Sequence, residues 1–353
     1  MISAGGPQLM TAALDAVAGG EDLTAEQAAD VMAIIMAGEA SEIQIAGFLI
    51  ALRTKGETVD EIAGLARTMR KLATRVTTCR GDLLDTAGTG GGRRTFNVST
   101  TAALIAAGAG CTVAKHGNRS ATGLSGSADL LEALGARIDL TPAQVSRCID
   151  EVGFGFMFAP AHHQATRYVV PVRRELAVRT IFNFLGPLTN PAGAERQLIG
   201  VSDRRYLRTM ALALGKLGTR HALVVCSHDG LDELSISAPT DVWEVEPGSA
   251  RMEVVTPEGV GLERAPAEAI PGGDPADNAA ITRAILGGER GPAGDLAVLN
   301  AGAAIYAGGR ATSIADGVRV AREAIDGDAA RDALERFVAA TVRMSAARDA
   351  ARS

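Results

Sequence analysis

From residue 80 onward, short apolar runs alternate with helix-patterned segments, and few architectures accept that alternation. "GDLLDTAG", "CTVAKHG" and "HALVVCSHDG" have the length and apolar density of buried strands. Between and after them stand "TTAALIAAGAG", "SADLLEALG" and "RYLRTMALALGKLG", whose apolar residues recur at helical spacing. A strand can join a parallel neighbour only through a crossover, usually a helix, so this order predicts an α/β fold with a central, largely parallel sheet flanked by helices. "PTDVWEVEPGSARMEVVTPEGVGL" predicts a small β excursion, after which "DPADNAAITRAIL", "LNAGAAIYAGG" and "ATSIADGVRVAREAI" return to helix. Aromatic residues make up only 3% of the chain. The core must then be built from Ala, Leu, Val and Ile, which suits helices packed closely on a sheet.

The first 75 residues carry helix signals only. "LTAEQAADVMAIIMAG" opens with Thr24 and Gln27 in capping-box spacing and closes at Gly38. "SEIQIAGFLIALRTKG" repeats the plan with Ser41, Gln44 and Gly56, and "TVDEIAGLARTMRKLA" with Thr58 and Glu61. Three short helices joined by tight turns predict a compact helical subdomain. The second is apolar nearly all round (Ile43, Ile45, Ala46, Phe48, Leu49, Ile50) and so needs either a covering helix or a subunit interface. The expected division is a helical domain over 1–76, joined by helices from about 165–190, an α/β domain over 80–345, and a frayed tail over 346–353.

The formal net charge of −6 argues against nucleic-acid and anionic-membrane partners, both of which select basic footprints. Cys79, Cys111, Cys148 and Cys226 are widely spaced and read as buried thiols in a reducing compartment. No leader-like start and no apolar run of about 18 residues stands in the sequence, so a cytoplasmic location is expected.

Two segments stand out for chemistry. In "DTAGTGGGRRTFNVST", Gly88, Gly90, Gly91 and Gly92 allow backbone N–H groups to face an anion, and Asn97, Ser99 and Thr100 open the following helix. Alone, the segment is equally a strand-to-helix turn. The next strand ends in "KHGNRSATGLSGSADLLEALG", where Lys115 and Arg119 bring cations to the ligand edge of an open α/β sheet amid Asn118, Ser120, Thr122, Ser125 and Ser127. Two glycine- and hydroxyl-rich loops after strands favour phosphate binding over plain turns. Asp232 and Glu233 in "SHDGLDELSISAPT" are either an exposed acidic turn or ligands for the Mg²⁺ that accompanies phosphates. His228 is either an outer partner of that site or a surface imidazole, and His162 with His163 lacks zinc spacing and fits the shaping of a pocket. Arg173, Arg174 and Arg179 run along a helical pattern, from which one could grip a carboxylate through two parallel hydrogen bonds.

The segments "GTGG", "TFNVST", "KHGNR", "GSADLLEALG", "RELAVRTIFNFLGPLTNP" and "DGLDELS", in this order, resemble the anthranilate phosphoribosyltransferase family over nearly the whole chain. The resemblance implies a small all-helical domain beside a larger α/β domain and a homodimer formed through the helical part. It implies transfer of the 5-phosphoribosyl group of 5-phosphoribosyl 1-diphosphate (PRPP) to the amine of anthranilate with release of pyrophosphate, in tryptophan biosynthesis. PRPP contacts carried over are Gly88, Gly91, Gly92, Thr95, Asn97, Val98, Ser99 and Thr100 in the first loop. In the second they are Lys115, His116, Gly117, Asn118, Arg119, Ser120, Ala121, Thr122, Gly123 and Ser127. A pair of Mg²⁺ ions is implied at Ser99, Asp232 and Glu233, and anthranilate at Gly88, Asn118 and Arg173. No covalent nucleophile or general base is expected. The chain departs from the family in one place: many members read "GTGGD" with four residues before the T-x-N segment, whereas Gly92, Arg93 and Arg94 are the only three here.

Two rival readings fit less well. A pyrimidine nucleoside phosphorylase of the same architecture should differ at "KHGNR". A silent, nucleic-acid-binding relative should be basic and lack the Asp-Glu pair.

Overall fold

The computed structural model describes residues 6–120 and 123–350. The chain opens with four helices: α1 (Gly6–Ala18), α2 (Ala25–Ala37), α3 (Glu42–Lys55) and α4 (Val59–Leu72). The three expected capping boxes form at α2, α3 and α4, each with the hydroxyl of Thr24, Ser41 or Thr58 accepting from the backbone three residues on. Gly38 takes the left-handed conformation that ends α2, at φ 75°. The extra helix, α1, has no Ser, Thr or Asp cap ahead of its first turn to announce it, and it packs on α3. On α3, Ile45, Phe48, Leu49 and Leu52 are buried, while Ile43 is 84% exposed and Ile50 37%.

The sheet and its helices follow as β1 (Leu83–Gly88), α5 (Val98–Gly108), β2 (Thr112–Gly117), α6 (Ser127–Ala133), α7 (Pro142–Val152) and β3 (Phe154–Phe158). Next come α8 (Ala159–His162), α9 (Val170–Leu176), α10 (Phe182–Leu185), β4 (Arg196–Gly200), α11 (Leu207–Lys216) and β5 (His221–Ser227). The hairpin β6 (Thr240–Glu246) and β7 (Ser249–Val255) is the expected β excursion, and α12 (Pro275–Leu286), α13 (Pro292–Ala307), α14 (Ile314–Asp326) and α15 (Ala329–Ala350) complete the chain. Strands β3 and β4 carry no clear signal of their own. Both are five residues long, and "RQLIG" is too short and too polar at its start to be separated from a loop.

The seven strands lie in the order β3-β2-β1-β4-β5-β6-β7. Strands β1 to β5 pair in parallel, and only the hairpin is antiparallel. The chain moves outward from β1 through β2 to β3, then returns to place β4 on the other side of β1. That reversal opens a crevice beyond the C-terminal ends of β1 and β4, the place where open α/β sheets bind ligands. Leu84, Val113, Leu198, Leu223 and Val225 face α5 and the helices α12 to α15 on one side of the sheet. Ile199, Ala222 and Val224 face α11 and the N-terminal helices on the other, in a core that also takes in Val172, Phe182 and Leu185. Arg70 fastens α4 to this side, donating to Leu188 O (2.6 Å) and Leu217 O (3.2 Å).

Cys111, Cys148 and Cys226 are buried free thiols, but Cys79 is exposed, so one of the four cysteines departs from the expected burial. It lies in the irregular connection before β1, at the surface beside Asp150 of α7, whose carboxylate accepts from its Sγ at 3.2 Å. Among the described residues no helix is long and apolar enough to cross a membrane.

Candidate active site

The glycine loop leaves β1 at the reversal point. Gly90 and Gly91 have φ of 66° and 80°, the left-handed region the sequence called for, whereas Gly88 and Gly92 do not. These two are glycine for space. A Cβ on Gly88 would lie 2.9 Å from Asp232 Oδ2, and one on Gly92 would meet Asp232 Oδ1 at 2.6 Å and the backbone of Gly230 and Asp232 at 2.9 Å. Gly90 N–H donates to Asp232 Oδ2 at 2.9 Å, and Thr89 N–H to Gly200 O at 2.9 Å. The loop is thus held between the end of β4 and the acidic turn after β5.

Helix α5 starts beside it. Asn97 stands at the N-cap without capping. Its side chain instead bridges to the second loop, donating to Ser125 O (3.0 Å) and accepting from Ser125 Oγ (2.9 Å) and Asn278 Nδ2 (3.0 Å). Val98 and Thr100 are buried, and the Thr100 hydroxyl finds no partner among the described residues. Thr95 Oγ1 donates to Phe96 O. Ser99 presents its N–H to the Glu233 carboxylate.

The second loop differs from expectation in its cations. Lys115 sits two residues inside β2 and is only 1% exposed. Its Nζ donates to Thr86 O and to Thr86 Oγ1 (3.1 Å) and approaches Ser99 Oγ (3.4 Å). Burial pushes its pKa down, opposed by the charges of Asp85 and Glu233. Arg119 reaches the loop but Asp129 and Glu132 each hold its Nη1 at 2.6 Å, so its charge is already matched. The His116 ring faces that of His163 with centroids 5.1 Å apart. Burial and that neighbour lower His116 to about 3, and burial with His162 lowers His163 to about 4. Gly117 leaves room for Ser127, whose Oγ donates to Asn118 O (3.2 Å), and Asn118 Oδ1 accepts from Arg119 N–H (2.7 Å). Ser120 Oγ accepts from Gly123 N–H at 2.6 Å. Ala121 and Thr122 lie outside the described residues.

Asp232 and Glu233 do not form an exposed acidic turn. Glu233 is buried and Asp232 largely so. Burial raises both carboxyls above their ordinary values, Glu233 far above because Asp232 adds its repulsion. Among the described residues neither pairs with an arginine, and the nearby charge on Glu233 is the buried Lys115. Two desolvated carboxylates with the Ser99 hydroxyl form an all-oxygen donor set, which fits a hard divalent cation such as Mg²⁺. His228 is neither free nor part of this set; its Nε2 lies 2.8 Å from Asp241 Oδ1. His162 is fixed through Nδ1 to Thr74 O at 2.8 Å.

The arginine series is broken where the sequence read it as one helix. Helix α9 ends at Leu176 because Ala177 turns left-handed at φ 51°, so Arg179 lies past its end. That break redirects it: a Cβ on Gly91 would stand 2.2 Å from Arg179 Nη1, and the guanidinium rests 5.4 Å from the Phe184 ring centroid. Arg179 is therefore a loop neighbour that residue spacing could not reveal, and its charge lowers the burden on Asp232. Arg173 stays on α9, 5.8 Å from the Phe182 ring centroid. Its guanidinium is half-buried and no carboxylate pairs with it among the described residues, which leaves it free for an acidic ligand. Asp85 and Asn190, also unforeseen, lock the base of the second loop: Asp85 accepts from His116 N–H (3.0 Å) and Asn190 Nδ2 (2.8 Å).

Residues 80–331 match the glycosyl transferase family a/b domain, and residues 11–73 its helical bundle domain. An anthranilate phosphoribosyltransferase of Symbiobacterium thermophilum is 54% identical over 96% of this chain and 99% of its own. The crystal structure of the Thermus thermophilus anthranilate phosphoribosyltransferase superposes with a TM-score of 0.89 at 49% identity, covering 93% of this chain and 99% of that one. The Saccharomyces cerevisiae enzyme, solved in complex with PRPP and Mg, gives 0.86 at 26% identity, covering 95% and 98%.

Proposed function

The chain belongs to the glycosyl transferase family and, within it, to the anthranilate phosphoribosyltransferases, and from that premise we propose how its residues conduct the reaction. The enzyme is a pentosyltransferase that moves the 5-phosphoribosyl group of PRPP to the amine of anthranilate, releasing pyrophosphate, in tryptophan biosynthesis. One observation carries the residue assignments: the desolvated Asp232–Glu233 pair held against the glycine loop at the sheet's reversal point.

The amine nitrogen forms a bond to the ribose C1 as the C1–pyrophosphate bond breaks, and the nitrogen then loses a proton. An arylamine needs no prior deprotonation, so the chain's work is positioning and matching of charge. The PRPP phosphates lie against the glycine loop at Gly88, Gly91 and Gly92 and the start of α5 at Asn97, Val98, Ser99 and Thr100, with Thr95 beside them. Lys115, His116, Gly117, Asn118, Arg119, Ser120, Gly123 and Ser127 form the opposite wall. Asp232, Glu233 and Ser99 hold Mg²⁺, which when bound neutralises the pyrophosphate and fixes its orientation. Arg173 grips the anthranilate carboxylate, with Gly88 and Asn118 against the ring, and burial keeps the His116 and His163 imidazoles neutral.

The reading extends to assembly and location. The outer face of α1 and α3 is an open groove of about 980 Å³ lined by Leu14, Ala46, Ile50 and Leu176, with Ile43 on its rim. We assign it to the interface of a homodimer, because its apolar lining continues to the exposed Ile43 and Ile50 of α3. The division into a helical domain (1–76, with helices from 165–190) and an α/β domain (80–345) is supported by the helical bundle match over residues 11–73 and the a/b domain match over 80–331. A cytoplasmic location agrees with four free cysteines. The test follows the loss of anthranilate fluorescence with purified protein, PRPP and Mg²⁺. Loss only when all three are present supports the reading, and loss that survives omission of Mg²⁺ removes the role given to Asp232 and Glu233.

A further inference from the structure

We propose that Arg93 is a positioning residue for PRPP binding, clamping the shortened glycine loop onto the acidic turn. The inference rests on the phosphoribosyl reading above and adds a residue outside the contacts that the resemblance carries over. The loop has no slack. Gly92 lies flush against the backbone of Gly230 and Asp232, so no side chain can stand at the position where many relatives carry aspartate.

Arg93 takes over the fastening one residue later. Its backbone N–H donates to Gly230 O at 3.0 Å, inside the acidic turn. Its Nη2 lies 3.3 Å from Asp229 Oδ2, and both side chains are mostly buried, 23% and 18% exposed. Its Nη1 donates to Ala267 O at 2.9 Å, in the segment beyond the hairpin. Asp229 is itself the hub of the turn, accepting from Ser227 Oγ, Leu231 N–H and Ser235 Oγ. A charged hydrogen bond to such a hub transmits the position of the turn to the loop amides. Gly90 N–H to Asp232 is the second stitch of the same seam. The clamp therefore fixes the spacing between the amides that receive the phosphates and the carboxylates that receive the metal. Arg94, next in sequence, is exposed and makes no such bond among the described residues.

The consequence is a change in substrate binding with little change in the chemical step. For Arg93→Ala, KM for PRPP rises about tenfold, KM for anthranilate stays constant and kcat changes little, as expected for loss of the partly buried charged hydrogen bonds to Asp229 and Ala267. Arg94→Ala leaves all three constants at wild-type values. In a cycle with Asp229→Asn, the double variant falls short of the product of the two single effects, because both remove the Arg93–Asp229 bond while each also removes bonds of its own. Equal PRPP KM in the Arg93→Ala and Arg94→Ala proteins overturns the clamp, as do effects that multiply in the cycle. Should Arg93→Ala not fold, Arg93→Lys carries the test: lysine keeps the charge but cannot reach Asp229 and Ala267 together, and an unchanged PRPP KM overturns the proposal. Calorimetry with PRPP and Mg²⁺ separates the two levels. No uptake by the wild type overturns the phosphoribosyl reading and the clamp with it; equal uptake by wild type and Arg93→Ala overturns the clamp alone.

Discussion

Gly200, the last residue of β4, tests how the sheet places the acidic turn. A Cβ built there would lie 1.6 Å from Asp232 O and 2.6 Å from its carbonyl carbon. Real Cβ contacts keep to 3.0 Å or more, so in Gly200→Ala the strand end and Asp232 must part by about 1.4 Å (3.0 − 1.6). Both partners are backbone, so no rotamer change relieves the overlap. Overpacking of this kind costs about 1–3 kcal/mol of stability. A shift of about 1 Å in a positioning group costs on the order of 100-fold in rate. Initial rates of anthranilate fluorescence loss over a PRPP and Mg²⁺ series should thus show kcat/KM reduced about 100-fold, with the Mg²⁺ requirement moved to higher concentration. Urea unfolding reports the stability loss. Gly81→Ala is the control, since its Cβ meets nothing within 4 Å. A Gly200→Ala enzyme with wild-type kcat/KM would show that the end of β4 does not hold Asp232 in place.

Three further outcomes follow from the same geometry. Arg173→Ala should raise the anthranilate KM by about 10- to 100-fold, the worth of a charged hydrogen-bond pair, with the PRPP KM unmoved; an unchanged anthranilate KM removes Arg173 from the acid's site. Asp232→Ala combined with Glu233→Ala should cut Mg²⁺-dependent turnover by a factor on the order of 10²–10³, and full activity would dismiss the pair. Stability should also fall in acid through His116 and His163. Their folded pKa values, about 3 and about 4, lie below the ordinary 6.5, so the stability they confer is complete above 6.5 and declines as pH drops toward 4. Each contributes a loss of about 2 kcal/mol by pH 5, and urea unfolding of His163→Asn should lose correspondingly less between pH 7 and 5. A variant whose stability falls as steeply as the wild type would refute the buried-imidazole account.

The sequence alone determined what nearest neighbours decide. Capping boxes at Thr24, Ser41 and Thr58, the glycine that ends α2 and the strand–helix alternation are interactions within a few residues, so a linear pattern records them. The glycine loop, the helix start at Asn97 and the Asp232–Glu233 pair were legible for the same reason, as short motifs with their own chemistry. Tertiary structure alone decided what those motifs face. The return of β4 to the side of β1 brings Gly88 against Gly200 and Asp232, both more than 100 residues away in sequence, and no local pattern encodes that pairing. Burial came the same way: the sequence places Lys115 at the ligand edge and leaves Asp232 with Glu233 open between an acidic turn and metal ligands, and only the packed fold shows that water is excluded from them. A single left-handed residue, Ala177, sends Arg179 toward the glycine loop, and Arg93 finds Asp229 because the loop packs against the turn after β5. Long-range packing, with the desolvation it imposes on charges, turned a set of plausible ligands into one site.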